Sequence, residues 1–216
     1  MAKPNRKGVR DLGKSFKLFE TLANGVYDRG GDDETLSQLE IKTTLKKVID
    51  ALMGSDNLSL KNLKFINNIL VKTPSFSKDS FFGKNGPVQF HFWDNFTNKV
   101  LKNIPNEIAG FEGSLTQTQL TKGMYDREIL SELGNPKPFT PEEFGAVISH
   151  LLTKQPNGEN GNLLTNGYAN IFYVQLEDRL VAVFVRWLSD YREWGFDAYA
   201  VDGTGWFDGR CVFSRS

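Results

Sequence analysis

The sequence predicts an α+β protein: a helical N-terminal half, then a helix packed on a four-stranded antiparallel β-meander. Three observations carry this. Ile41, Leu45, Val48, Ile49 and Leu52 recur at the spacing of one helical face. Thr140-Pro141-Glu142-Glu143 reads as a capping box with proline at the first helical position. After Asn162 the apolar rhythm shortens to every second residue, as on a strand.

Residues 1–31 are punctuated by Gly8, Gly13, Gly25, Gly30 and Gly31 and read as a flexible basic segment. Asp32, Asp33 and Glu34 favour the start of the first helix, and Gly54 supplies its stop. Ser59 reads as the N-cap of a second helix whose face is Leu63, Ile66, Ile69 and Leu70 and which ends before Pro74. Residues 73–86 read as a polar loop exposing Phe76, Phe81 and Phe82. In the next stretch two rhythms compete. Val88, Phe90 and Phe92 alternate, but Val88, Phe92, Phe96, Val100 and Ile104 recur every fourth residue over a longer run. The longer run predicts a helix over 87–103. Residues 106–122, rich in Gly, Thr and Gln, read as a linker. The expected organisation is a basic segment 1–31, a helical region 32–105, a linker 106–122 and an α+β domain 123–216.

In that last region a short helix over 123–133 ends at Gly134, and Phe144, Val147, Ile148, Leu151 and Leu152 give the 141–154 helix its apolar stripe. Phe172, Val174 and Leu176 alternate before the turn Glu177-Asp178-Arg179. Residues 180–188 are apolar on both faces, which places that strand centrally. Trp194, Phe196, Ala198 and Ala200 share one face of the third strand, and Cys211 and Phe213 lie on the last.

The chain has 216 residues, 26 basic and 26 acidic, so bulk charge argues for no polyanionic or polycationic partner. A single cysteine makes no internal disulfide, and with two histidines it falls short of a structural zinc site. The longest apolar run, Val181–Val185, is far below the roughly 20 residues of a membrane span. No signal-peptide core is visible in the first residues, so the expected compartment is cytoplasmic. Neither a cofactor nor a metal ion is expected. Gly203, Gly205 and Gly209 have the wrong spacing for a dinucleotide fingerprint, and Asp202, Thr204 and Asp208 read as turn chemistry before calcium ligands.

Candidate functional residues are few. On the expected 87–103 helix, His91 and Asp94 would be neighbours, the raw material of a general base; a small cytosolic hydrolase or transferase would use His91 with Asp94 or Asp197 in a cleft between the halves. His150 borders an apolar stripe, and Cys211 reads as a small packed residue. Aromatic residues crowd the stretch from Trp187 to Phe207, interleaved with Arg186, Arg192, Asp197 and Arg210. Most of these rings suit a sheet core. Trp187, at a strand end, and Trp206, in a loop, are the candidates for a binding surface, with Arg186 and Arg210 beside them. Lys3, Arg6, Lys7, Arg10, Lys14 and Lys17 offer phosphate contacts for a nucleic acid.

From about residue 120 onward the chain resembles a group of uncharacterised proteins predicted from environmental bacterial genomes. The residues that carry this are Arg127-Glu128-Ile129-Leu130, Leu133-Gly134, Phe139-Thr140-Pro141-Glu142-Glu143-Phe144-Gly145, Gln155-Pro156-Asn157-Gly158-Glu159, Ile171-Phe172 and the ending Gly209-Arg210-Cys211-Val212-Phe213-Ser214-Arg215. The resemblance implies a recurring C-terminal module and brings no activity with it. The residues themselves favour a non-catalytic binding or interaction module for a protein or small ligand, with the hydrolase or transferase and the nucleic-acid binder as the other readings.

Overall fold

Seven strands form one mixed sheet in the order β1-β5-β11-β7-β8-β9-β3. They are β1 (Leu63–Thr73), β3 (Phe90–Phe92), β5 (Phe111–Leu120), β7 (Asn170–Gln175), β8 (Leu180–Leu188), β9 (Glu193–Ala200) and β11 (Cys211–Arg215). The computed structural model describes residues 61–201 and 205–216. The basic segment 1–31 and the helix expected after Asp32 lie outside the described residues. Two short antiparallel ribbons accompany the sheet: β2 (Phe76–Ser77) with β4 (Glu107–Ile108), and β6 (Met124–Tyr125) with β10 (Gly205–Trp206).

The expected helical N-terminal half is therefore corrected wherever residues are described. The segment from Leu63 to Thr73 is a strand paired with β5, and its register shifts between Phe65 and Asn67. That irregularity turns Leu63 to one face and Ile69 and Val71 to the other, which blurs the two-residue rhythm. Leu70, central to the expected helical face, is 81% exposed. Residues 87–103 divide into β3, helix α2 (Asp94–Lys99) and a 3₁₀ turn at Leu101–Asn103. Both competing rhythms are real, each for part of the stretch: Phe90 and Phe92 alternate on the strand, while Phe96, Val100 and Ile104 are buried beyond it. Residues 106–122, read as a linker, hold β4 and β5. Phe81 and Phe82, expected to be exposed, are buried in and beside helix α1 (Lys78–Phe82).

The C-terminal half follows its sequence more closely. Helix α3 (Asp126–Glu132) forms within the expected 123–133 stretch, and helix α4 (Pro141–Thr153) starts at its expected capping box. Strands β7, β8 and β9 make an antiparallel meander with β8 at its centre. The fourth strand is the exception. β11 does not continue the meander beside β9; it runs parallel to β7 and antiparallel to β5. A four-stranded meander is thus replaced by a three-stranded one, and β11 joins it to the β1–β5 pair.

The two faces of the sheet bury separate clusters. On the first, α4 and α2 cover Phe172, Val183, Val185, Trp194, Phe196 and Phe213. Here Phe144 packs edge-on against Phe172 at 5.5 Å, and Phe172 stacks on Phe213 at 4.8 Å. On the second face, α3 and the β6–β10 ribbon cover Leu63, Leu120, Ile171, Tyr173 and Val212. No helix among the described residues is long and apolar enough to cross a membrane.

The start of α4 is held from two directions. The Thr140 N–H donates to Glu143 Oε2 at 2.8 Å, and the Glu143 N–H donates to Thr140 Oγ1 at 3.2 Å. Glu143 also ion-pairs with Arg215 at the end of β11, so one carboxylate ties helix to sheet. Burial pushes the Glu143 carboxyl up, but the Arg215 guanidinium and the Thr140 N–H together hold it below its ordinary value. A lowered folded pKa gives stability that is fully present above the unfolded value, about 4.3, and is lost as pH falls through the folded one. Glu143→Gln is expected to cost on the order of 1 kcal/mol at neutral pH and to flatten the acid limb of stability. Urea midpoints measured across a pH series check both.

Candidate functional site

Strand alternation sorts β9 into two sets. Trp194, Phe196 and Ala198 point into the first core, so Glu193, Gly195, Asp197 and Tyr199 share the second face. The neighbouring β8 places Phe184 and Arg186 on that same face, because Val183, Val185 and Trp187 belong to the first. On the other side, β3 sends Phe90 and Phe92 into the first core and leaves His91 facing the second. Trp93 follows β3, and its N–H donates to the Phe196 carbonyl at 3.0 Å. Together these residues form a patch of charge and aromatic rings at the β8-β9-β3 end of the sheet.

Arg186 is its centre. Its guanidinium lies 5.0 Å from the centroid of Trp93 and 6.0 Å from that of Phe184. The backbone position opposite Arg186 is Gly195. A Cβ built there would come within 2.6 Å of Trp93 Cζ3, so the missing side chain is what admits the indole ring. Two residues to either side of Gly195 stand Glu193 and Asp197, the diagonal neighbours of Arg186 on this face. Neither forms an ion pair with it. Glu193 lies 3.5 Å from His91 Nδ1, and Asp197 accepts from the Ala198 N–H at 2.8 Å and from the Tyr199 hydroxyl. Arg186 Nε is buried and has no hydrogen-bond partner.

The electrostatics are tightly local. Burial and then the Asp197 charge push the Tyr199 phenol up, with Arg186 pulling the other way. Tyr199 stacks obliquely on Phe184 at 5.3 Å, and Trp206 meets Phe184 edge-on at 5.9 Å. Trp206 is fixed in turn by Asp126, whose Oδ1 accepts from the indole N–H at 2.7 Å and from the Tyr173 hydroxyl at 2.9 Å. The rings therefore form a continuous strip from His91 and Trp93 across Phe184 to Tyr199 and Trp206.

The residues singled out from sequence do not converge. Trp187 packs on Trp194 in the first core, at 5.4 Å, beneath Gly158. Trp206 is buried but flanks the Arg186 patch. Arg210 sits apart, its guanidinium 5.2 Å from Tyr168 and 5.0 Å from Phe207, two exposed rings. His91 and Asp94 share no helix: the histidine is on β3, Asp94 opens α2, and the acid beside His91 is Glu193. Cys211 is buried in the first core, where burial pushes its thiol up. His150 Nδ1 lies 3.0 Å from the Lys72 carbonyl on β1. Sequence reasoning missed Trp93, Glu193 and Phe184 as members of one patch. The available signal was Gly195, a glycine inside an aromatic strand, where another group approaches the backbone closely.

Among the described residues no group of three or more His, Cys, Asp or Glu side chains could hold a metal ion. No family model, curated protein or solved structure matches this chain.

The close fit between Trp93 and Gly195 gives a direct check. Gly195→Ala is expected to push the indole off the sheet and to release Arg186 from it, changing near-UV circular dichroism while leaving the far-UV spectrum as it was. An unchanged near-UV spectrum would mean the ring does not depend on that glycine.

Proposed function

We propose that this protein is a binding module whose recognition site is the Arg186 patch on the second face of the sheet. The observation that carries the reading is the state of Arg186 itself. Its half-buried guanidinium is held by the Trp93 and Phe184 rings, its buried Nε has no hydrogen-bond partner, and the two carboxylates one diagonal step away make no ion pair with it. A guanidinium stacked on a ring keeps its terminal N–H groups free to bind an oxyanion in its own plane, here beyond the buried Nε. The ligand class this favours is a small molecule with a carboxylate or phosphate group, flanked by the strip of rings. Of the residues expected to bind, Arg186 is the anchor and Trp206 a flank, while Trp187 and Arg210 lie elsewhere.

The hydrolase or transferase reading has less support. His91 touches the Trp93 ring and Glu193, and the protein's cysteine lies on the opposite face. The basic residues that motivated nucleic-acid binding lie outside the described residues.

The test is a titration of wild type, Arg186→Ala and Arg210→Ala with a panel of small carboxylates and phosphates, followed by tryptophan fluorescence. Wild type and Arg210→Ala are expected to bind alike, and Arg186→Ala to lose about tenfold or more in affinity. Arg186 stacks without ion pairs, so its removal is expected to cost no more than about 1–2 kcal/mol of stability. Equal affinity for wild type and Arg186→Ala would sink the reading.

A further inference from the structure

The charges around Arg186 narrow the ligand further, on the footing that the Arg186 patch is the binding site. An arginine with acids at both diagonal positions is within reach of an ion pair with either. Here all three charged groups are kept apart. Arg186 is taken by the Trp93 and Phe184 rings, Glu193 by His91, and Asp197 by Tyr199 and the Ala198 N–H. Two carboxylates thus stand on this face against one guanidinium, with His91 touching Glu193 and the Tyr199 phenol touching Asp197.

This balance disfavours a plain anion. Glu193 and Asp197 occupy the diagonal positions to Arg186, about 7–8 Å away between backbones, so an oxyanion drawn to Arg186 also meets their repulsion, which offsets part of the single attraction. A cation alone meets Arg186 in the same way. A ligand with both charges suits this face better: its oxyanion meets the terminal nitrogens of half-buried Arg186, beyond the buried Nε, and its cationic end meets Asp197. Asp197 is the better acid for this, because a carboxylate offers about four lone-pair sites and its known donors, the Ala198 N–H and the Tyr199 hydroxyl, use two. The Phe184, Tyr199 and Trp206 rings beside it offer an apolar wall.

We infer that the ligand is a small zwitterion of the α-amino acid type, its carboxylate on Arg186 and its ammonium on Asp197. The discriminating experiment is a matched series on the full chain. Free α-amino acids are titrated by tryptophan fluorescence or calorimetry, each beside its deamino acid, which lacks the ammonium, and its amide, which lacks the carboxylate. At least one amino acid is expected to bind about tenfold or more tightly than either partner, with Asp197→Asn reducing its affinity and leaving that of the deamino acid unchanged. Deamino acids binding as well as their parents, in an Arg186-dependent way, would overturn the zwitterion and keep the site. No binding by any member at millimolar concentration would overturn both. If Asp197→Asn does not fold, the wild-type series alone decides.

Discussion

Strand β11 hydrogen-bonds to β5 on one side and to β7 on the other, and everything else in the described fold hangs on that double pairing. Without it the β1–β5 pair and the β7-β8-β9 meander are separate pieces, each with one face too small to bury. The insertion is enforced by packing as well as by the ladder. Phe213 on β11 stacks on its register partner Phe172 on β7, and Phe144 of α4 caps that pair. Arg215 then reaches Glu143 at the helix start and lies 5.3 Å from the Phe139 ring. One short strand thus fixes the sheet's order and the seat of the helix that covers it.

Placing β11 beside β7 has a consequence at the far end. Between β9 and β11 in the chain comes β10, which pairs with β6 and places Trp206 on the second face. Trp206 of β10 is held by Asp126 and packs edge-on against Phe184 of β8. The apolar part of the second face is thereby covered, and the charged part, around Arg186, lies next to it. The position of the patch therefore follows from topology, while its chemistry follows from the alternation of β8 and β9.

How much of this was legible in the sequence depends on which forces act locally. The α4 capping box, the antiparallel succession of β7, β8 and β9 and the interior position of β8 were readable, because caps and turns act within a few residues, but the fourth strand of the expected meander was misplaced. β1 was not, because the irregularity at Phe65–Asn67 breaks its alternation and two exposed apolar residues, Ile66 and Leu70, complete the spacing of a helical stripe. β5 read as a linker because its buried residues include Gln117 and Thr118, and a buried glutamine carries no hydrophobic signal. Its burial is stabilised by a bond from Gln117 Nε2 to the Asn162 carbonyl at 2.8 Å, a partner remote in sequence. The parallel pairing of β11 was invisible for a related reason. Neighbouring strands with short connections favour a meander, and only the fit of Phe213 against Phe172 argues otherwise.

The same logic explains why the candidate site was only half legible. Arg186, Asp197 and Tyr199 stood out as polar and aromatic residues among apolar ones, but their grouping needs Trp93, which reaches them from β3 through a parallel pairing with β9. Without that ring, Arg186 has no competitor for Asp197 and Glu193, and a surface ion pair would form at little gain. With it, the guanidinium is held by a stacking contact of similar strength, and the carboxylates find other donors. Stacking leaves the donor edge of the guanidinium unused, whereas ion pairing would consume it. The glycine at 195 decides between the two, since any side chain there would exclude the indole ring. A site with separated charges is thus built by removing one side chain from the middle of a strand.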